Sequence, residues 1–218
     1  MTVRLSVSVM AHPVRYEWTE DLLNRTGLSW DHVVWDQGKG RWDTGRRAWE
    51  LADPDASHHL VLQDDALPCQ DLILGLEMAL ARIPAHRVLI SLFFGTPHAG
   101  AQGLSAKERA IGRAQQVGAS WIILRSLNWG LGIVLPTAVV PNMLDWCDQQ
   151  TYPEYDKRVG LYARDVLGWK TWYTWPSLVE HRVGASLCEH ECVHAYQFLG
   201  EMSALEANWD GPIVGKEA

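Results

Sequence analysis

The sequence contains few cysteines, no long hydrophobic run and no excess of positive charge. Four cysteines in 218 residues are too few for a disulfide framework and favour free thiols. No apolar stretch approaches the roughly 20 residues that span a bilayer. The first residues lead into a polar–apolar alternation rather than the long apolar segment of a signal peptide. We therefore expect a cytoplasmic protein that does not cross a membrane.

The charge balance restricts the partners that the surface can bind. Lys and Arg number 19 against 26 Asp and Glu, a net charge of −7. This argues against broad contact with a nucleic-acid backbone without excluding nucleic acid. Hydrophobic residues make up 47% of the chain, enough for one sizeable core, so we expect a single domain over residues 1–218. Of the 12 tryptophans, most are expected in the core, and any in a cleft would suit stacking on sugar rings or bases.

Hydrophobic periodicity alternates between strand and helix over the first hundred residues, which indicates an α/β fold with a mostly parallel central sheet flanked by helices. The predicted strands are residues 4–10, 32–36, 60–62, 88–94, 120–126, 130–136 and 171–174. The predicted helices are residues 18–25, 45–52, 72–81, 106–116 and 139–147. We expect Thr19, and then Asp43 or Thr44, to cap the first two helices, and Gly27 to end the first. The polar stretch from Glu206 is expected to be a loosely held tail.

Polar side chains follow three of these strands at the point where each ends. His12 and Arg15 follow the first strand, Asp36 ends the second, and Asp64 and Asp65 follow the third. Ligands bind at the carboxyl ends of strands in open α/β sheets, so we expect a nucleotide at this rim. Two adjacent carboxylates need a cation, a proton or water if they are buried, and Mg²⁺ or Mn²⁺ suits oxygen ligands. The alternative interpretation of the pair is an exposed acidic turn.

Four motifs in order carry a resemblance to a known family. They are Val-Leu-Gln-Asp-Asp-Ala-Leu-Pro at 61–68, Asn-Trp-Gly-Leu-Gly-Ile-Val-Leu-Pro at 128–136, Glu-Tyr-Asp at 154–156 and Trp-Pro-Ser-Leu-Val-Glu-His at 175–181. Over about residues 1 to 190 the chain resembles GT-A type glycosyltransferases, most closely the branch of lipooligosaccharide and collagen galactosyltransferases. Gln63 departs from the pattern, because the family usually has an acid there, and residues 95–130 match little of it.

The resemblance implies a fold, a reaction and a donor. It implies a GT-A domain with a Rossmann-like nucleotide-sugar-binding half at 1–95, an acceptor half at 96–190 and a tail at 191–218. The enzyme would move a sugar from a nucleotide-diphosphate sugar, most readily a UDP-sugar, to a hydroxyl of a glycan, a protein or a hydroxymethylated base in DNA. It would use Mn²⁺ or Mg²⁺, with Asp65 and His181 as metal ligands and Asp64 orienting the ribose or a metal-bound water.

Other residues are candidates for binding the donor or for acid–base chemistry. Asp36 would contact the base or ribose, and His12 lies at the same rim. Arginine side chains would hold the diphosphate through their guanidinium forks, and the candidates are Arg15, Arg46 and Arg47. Adjacent residues on a helix point in different directions, so at most one of the last two can serve. Asp156 is the candidate general base, which an inverting transfer requires, with Glu154 as its competitor. The alternative for these two is a charged loop.

The sequence is also compatible with two other functions and with a second metal site. A nucleotidyltransferase would also use paired carboxylates and a metal, but it usually has a glycine-rich basic stretch after the first strand. A non-catalytic sugar-nucleotide-binding module would account for Gln63. Four residues at alternate positions, Cys188, His190, Cys192 and His194, could bind zinc, although their spacing differs from the two separated pairs of common zinc sites.

Overall fold

The computed structural model describes residues 3–83, 88–96, 106–184 and 193–215. Within these ranges the strands are β1 Leu5–Ala11, β2 Val33–Trp35, β3 His58–Gln63, β4 Ala66–Pro68, β5 Leu89–Ser91, β6 Trp121–Leu124, β7 Gly132–Pro136, β8 Thr171–Thr174, β9 Val179–His181 and β10 Ile213–Val214. The helices are α1 Tyr16–Thr26, α2 Arg41–Glu50, α3 Leu72–Arg82, α4 Ala106–Val117, α5 Val140–Asp148 and α6 Tyr155–Leu161, which a π-helical turn Tyr162–Val166 extends. The described helices include none that is both long enough and apolar enough to cross a membrane.

The central sheet has eight strands in the order β10-β6-β8-β5-β7-β3-β1-β2. Among the described strands, β1 pairs in parallel with β2 and β3, β5 with β8, and β6 with β10. The pairs of β7 with β3 and with β5, and of β6 with β8, are antiparallel. The predicted α/β class with a central sheet flanked by helices is confirmed, and four of the seven described pairings in this sheet are parallel and three antiparallel. Strand β7 is buried at every position, and such a run does not reveal strand direction.

Helices cover both faces of this sheet. On one face, α1 and α3 bury residues such as Leu22 and Leu76 against Val9 and Leu62 of the strands. On the other face, α2, α5 and α6 pack against alternate residues of the same strands, including Val61. The sheet is therefore the middle layer of three, which leaves its strand ends as the place where side chains from several elements can meet.

A second, two-stranded sheet begins immediately after the acidic pair. Strand β4 pairs antiparallel with β9, with Ala66 opposite His181 and Pro68 opposite Val179. The backbone N–H of Arg182 also donates to the carbonyl of Asp65 at 2.8 Å. This pairing brings a histidine more than a hundred positions away in sequence next to the end of β3.

Three local predictions are wrong. Helix α1 begins at Tyr16, so Thr19 lies inside it and donates to the Arg15 carbonyl. Helix α2 begins at Arg41, and the Thr44 hydroxyl donates to Asp36 instead of capping. The tail expected from Glu206 supplies β10 to the sheet edge, because its short apolar pair extends the ladder of β6. Gly27 does end α1, with φ of 71°.

Candidate functional site

A cleft of about 600 Å³ opens at the carboxyl ends of β1, β2 and β3. Helix α6 and the segment before β7 form its opposite wall. Eight of the ten candidates for donor binding, metal binding and acid–base chemistry line this cleft: His12, Arg15, Asp36, Asp64, Asp65, Glu154, Asp156 and His181. The expectation that ligands bind at the carboxyl ends of the strands therefore predicted where the cleft lies. The contribution of α6 to its wall follows from the tertiary structure.

Arg15 lies between the two aspartates that follow β3. Its Nη1 atom is 2.9 Å from Asp64 Oδ1 and 2.7 Å from Asp65 Oδ2, and all three side chains are at least nine-tenths buried. Its guanidinium also stacks over the Trp18 ring at 5.0 Å. Two adjacent buried carboxylates repel each other, and this shared guanidinium supplies the opposite charge. The arginine expected to hold a diphosphate therefore holds the carboxylates in this structure.

Asp64 ties the first loop to the third strand. Its Oδ2 accepts the backbone N–H of His12 at 2.7 Å, and its Oδ1 accepts from Arg15. Burial raises the pKa of Asp64 above its ordinary value, the charge of Asp65 adds to this, and the His12 and Arg15 hydrogen bonds oppose it. Asp64 thus has a defined orientation at the rim of the cleft.

Asp65 and His181 face each other across the junction of the two sheets. His181 Nε2 is 3.5 Å from Asp65 Oδ2, and His181 Nδ1 lies 3.0 Å from the Arg182 carbonyl. A carbonyl only accepts, so Nδ1 donates in this contact, and a neutral ring with this tautomer has its lone pair on Nε2, the atom nearer Asp65. Asp65 Oδ1 is buried and has no hydrogen-bond partner among the described residues. A lone pair and a carboxylate oxygen at this distance are the donor set that a divalent cation binds.

These two side chains supply only part of a metal site. Within the described ranges, no group of three or more His, Cys, Asp or Glu side chains is arranged to hold a metal ion. Mg²⁺ commonly binds through one or two carboxylates plus substrate phosphates and water. The pair Asp65 and His181 fits that partial arrangement, in which the substrate completes the coordination.

Asp156 and Glu154 lie on the opposite wall, at the start of α6. The charged-loop alternative is wrong, because this segment is helical from Tyr155. Burial raises the pKa of Asp156 above the ordinary aspartate value, and the charge of Glu154 raises it further, while Lys157 N–H and Arg41 oppose the shift. Glu154 Oε2 is buried without a hydrogen-bond partner among the described residues. Asp156 is thus a carboxylate whose proton affinity the fold has increased.

Asp36 is held at the end of β2 by its own surroundings. Its Oδ1 accepts from the Thr44 hydroxyl at 3.0 Å and from Gly38 N–H at 3.2 Å, and its Oδ2 lies 3.6 Å from His12 Nε2. Asp36 and His12 together line the end of the cleft that lies nearest β2, the last strand of the sheet.

Arg46 is not among the residues that line the cleft. It pairs with Asp148 at 3.0 Å and with Glu50, and these hydrogen bonds raise its pKa. Arg47 pairs with Asp43 at 3.0 Å and donates to the Trp35 carbonyl at 2.9 Å. Helix α2 buries its small residues and Trp49 against the sheet, so the side chains of Arg46 and Arg47 point away from the cleft.

Sequence reasoning missed several residues that line the cleft. Arg41 is the first residue of α2, and Gln63 and Tyr155 are neighbours of predicted site residues. Trp129 and Phe93 add an aromatic wall. Tyr155 could have been predicted, because it lies between the two predicted residues Glu154 and Asp156. Arg41 could not, because its position in the cleft depends on where α2 begins.

The possible zinc site lies mostly outside the described residues. This applies to Cys188, His190 and Cys192. His194 is described, and its Nδ1 lies 3.7 Å from Glu180 Oε1.

The sequence matches no model of a known protein family, and no curated protein is significantly similar to it.

Proposed function

We propose that this protein is a glycosyltransferase of the GT-A type that moves a sugar from a nucleotide-diphosphate sugar to an acceptor hydroxyl. One observation carries the proposal: a single cleft holds two groups of carboxylates in different electrostatic surroundings. Asp64 and Asp65 share the positive charge of Arg15, whereas Asp156, on the opposite wall, faces the like charge of Glu154, which together with burial raises its pKa. Sites that divide charge stabilisation from proton transfer use carboxylates in such different surroundings. The four ordered motifs support the same assignment.

The donor would lie along the rim from Asp36 to Asp65. Asp36, already oriented by Thr44 and Gly38, would accept hydrogen bonds from the base or ribose. Asp65 and His181 would hold Mn²⁺ or Mg²⁺ together with the diphosphate. When bound, such an ion neutralises the charge that develops on a departing diphosphate. Arg41 lines the same cleft and would contribute a further positive charge.

The acceptor hydroxyl would be activated by Asp156. The carboxylate takes the hydroxyl proton while the oxygen forms its bond to the anomeric carbon and the bond from that carbon to the diphosphate breaks. The anomeric carbon passes through an oxocarbenium-like state, as in glycoside hydrolysis. A base is more effective when its pKa approaches the working pH, so the raised pKa of Asp156 suits this role. Attack from the side opposite the diphosphate inverts the anomeric configuration.

One feature favours a second function, a sugar-nucleotide-binding module without chemistry. Gln63 replaces an acid of the family pattern, and Arg15 already compensates Asp64 and Asp65. Such a module would bind a nucleotide sugar without consuming it.

Substitutions on the two walls of the cleft test the proposal. With a panel of UDP-sugars, Mn²⁺ and mixed acceptors, we expect Asp156→Asn to lower kcat by roughly 10²- to 10⁴-fold while calorimetry shows unchanged donor affinity. Asp65→Asn should weaken donor binding only when Mn²⁺ is present. Asp55→Asn, at an exposed position, is the matched control. Donor binding without turnover would favour the module, and full turnover in the presence of a metal chelator would contradict the metal-assisted scheme.

A further inference from the structure

Tyr155 connects three segments that each carry a cleft residue. It is the first residue of α6, directly before Asp156, and only 3% of it is exposed. Its hydroxyl donates to the carbonyl of Gly130, which precedes β7. The next carbonyl, that of Leu131, accepts the backbone N–H of Gln63 at 3.0 Å, and the Gln63 side chain lies beside the Tyr155 hydroxyl as a donor. Gln63 is the last residue of β3, directly before Asp64. One hydroxyl group therefore joins both walls of the cleft.

The backbone of two other elements packs closely against Tyr155 and Asp156. A Cβ atom on Gly45 of α2 would lie 2.7 Å from Tyr155 Cβ, and one on Gly130 would lie 2.6 Å from Asp156 Cβ and 3.1 Å from its Oδ2. Neither glycine has a positive φ. Close contact, rather than backbone conformation, therefore requires glycine at both positions. Tyr155 and Asp156 are thus packed directly against the main chain of two other elements.

The hydrogen-bonding needs of the Tyr155 hydroxyl also explain why residue 63 is a glutamine rather than an acid. Burial and the charges of Asp156 and Asp65 raise the pKa of Tyr155, so its hydroxyl keeps the proton that it donates to Gly130. The hydroxyl oxygen then needs a donor, which an amide N–H provides and an ionised carboxylate cannot. A glutamate at position 63 would also add a third negative charge beside Asp64 and Asp65, where Arg15 is the ion-pair partner that both share.

We propose that Tyr155, hydrogen-bonded to Gly130 and beside the side chain of Gln63, is a positioning residue that fixes the carboxylate of Asp156 relative to Asp64 and Asp65. This inference rests on the proposed role of Asp156 as general base. A displacement of about 1 Å in a catalytic group can cost on the order of 10²-fold in rate, so a rigid link between the two walls has a direct effect on proton transfer. It acts through Asp156 and needs no contact with the substrate.

Removal of one hydroxyl tests the link. Tyr155→Phe keeps the ring against Gly45 and deletes the hydroxyl that donates to Gly130 and faces Gln63. We expect the carboxyl of Asp156, followed by ¹³C NMR and assigned with Asp156→Asn, to titrate at a lower pH than in the wild type. The reason is that a loosened Asp156 gains contact with water. The other charged or titratable side chains that face it, Glu154, Arg41 and Tyr173, are the same in both proteins.

The kinetic result should agree with the titration. We expect Tyr155→Phe to lower kcat about tenfold or more, with KM for the nucleotide sugar within twofold, and to move the acidic limb of the pH–rate profile toward lower pH. Gln63→Met should produce a smaller change in the same direction. The double variant should be no worse than Tyr155→Phe alone, because both substitutions break the same link. Gln63→Glu should not restore the wild-type profile.

A matched control separates positioning from general packing. Tyr162→Phe removes the hydroxyl of another buried tyrosine, on the turn that extends α6, and should leave both the Asp156 titration and kcat unchanged. Equal effects of the two substitutions, or an unchanged Asp156 titration in Tyr155→Phe, would overturn the positioning role. If the wild type has no transferase activity, the proposed function fails, and the NMR titration still decides whether Tyr155 positions Asp156.

Discussion

At the scale of single residues, Arg15 is the side chain whose observed contacts differ most from its predicted role. It was expected to meet a substrate diphosphate and instead contacts Asp64 at 2.9 Å and Asp65 at 2.7 Å. Two carboxylates that are buried side by side need a counter-charge. Arg15 supplies it from inside the chain.

Replacement of Arg15 tests this counter-charge. Arg15→Gln should lower the free energy of unfolding by about 3–5 kcal/mol, because one partner of a buried ion-pair group is removed. Addition of Mn²⁺ should raise the melting temperature more in the variant than in the wild type. Urea unfolding measures the first effect and thermal unfolding the second. Arg25→Gln removes a half-exposed pair with Asp21 and should cost no more than about 1 kcal/mol. A similar small cost for Arg15→Gln would show that the aspartates need no such partner.

At the scale of elements, packing depends on which helix face meets another segment. Helix α3 presents Gly75 to the segment that follows β9: a Cβ there would lie 2.2 Å from Ala204 Cβ and 2.8 Å from the Ala204 carbonyl oxygen. Helix α4 presents Gly112 to open space, with nothing within 4 Å of an added Cβ. Two glycines inside helices thus have opposite environments.

Alanine at these two positions should have opposite effects on stability. Gly75→Ala should destabilise the protein by about 1–3 kcal/mol, since α3 must shift away from Ala204. Gly112→Ala should stabilise it by about 0.5–1 kcal/mol, because alanine loses less backbone entropy in a helix. Urea unfolding measures both. A stabilising Gly75→Ala would mean that the segment around Ala204 does not pack closely on α3.

At the scale of the whole molecule, one buried histidine joins three of the elements that support the cleft. His59 of β3 has its Nδ1 2.7 Å from Ser6 Oγ, and its Nε2 lies 3.1 Å from Ser8 Oγ and 3.0 Å from the Ala48 carbonyl of α2. The neutral ring satisfies these partners by donating from Nε2 and accepting at Nδ1. Burial lowers the pKa of His59 to about 4.

This histidine makes stability depend on pH. Its folded pKa of about 4 is below the ordinary value of 6.5, so the unfolded chain binds more protons between these values. Its stabilising contribution is therefore complete above pH 6.5 and is lost as the pH falls toward 4. The loss amounts to about 3 kcal/mol at about 1.4 kcal/mol per pH unit. Urea unfolding between pH 7 and pH 4 should show this slope in the wild type and in His32→Gln. It should be reduced in His59→Gln, and identical slopes in all three would exclude His59 as the cause.

The sequence by itself determined where most strands and helices lie and which polar residues end the first three strands. Periodicity and turn residues are local signals, so they placed His12, Asp36, Asp64 and Asp65 at one rim. The tertiary structure alone decided the antiparallel insertion of β7, the arrival of His181 beside Asp65, the direction of Arg46 and the contact of Gly130 with Asp156. These features depend on contacts between residues that are far apart in the chain. The sequence around a buried strand or a charged side chain does not indicate which distant residue it will contact.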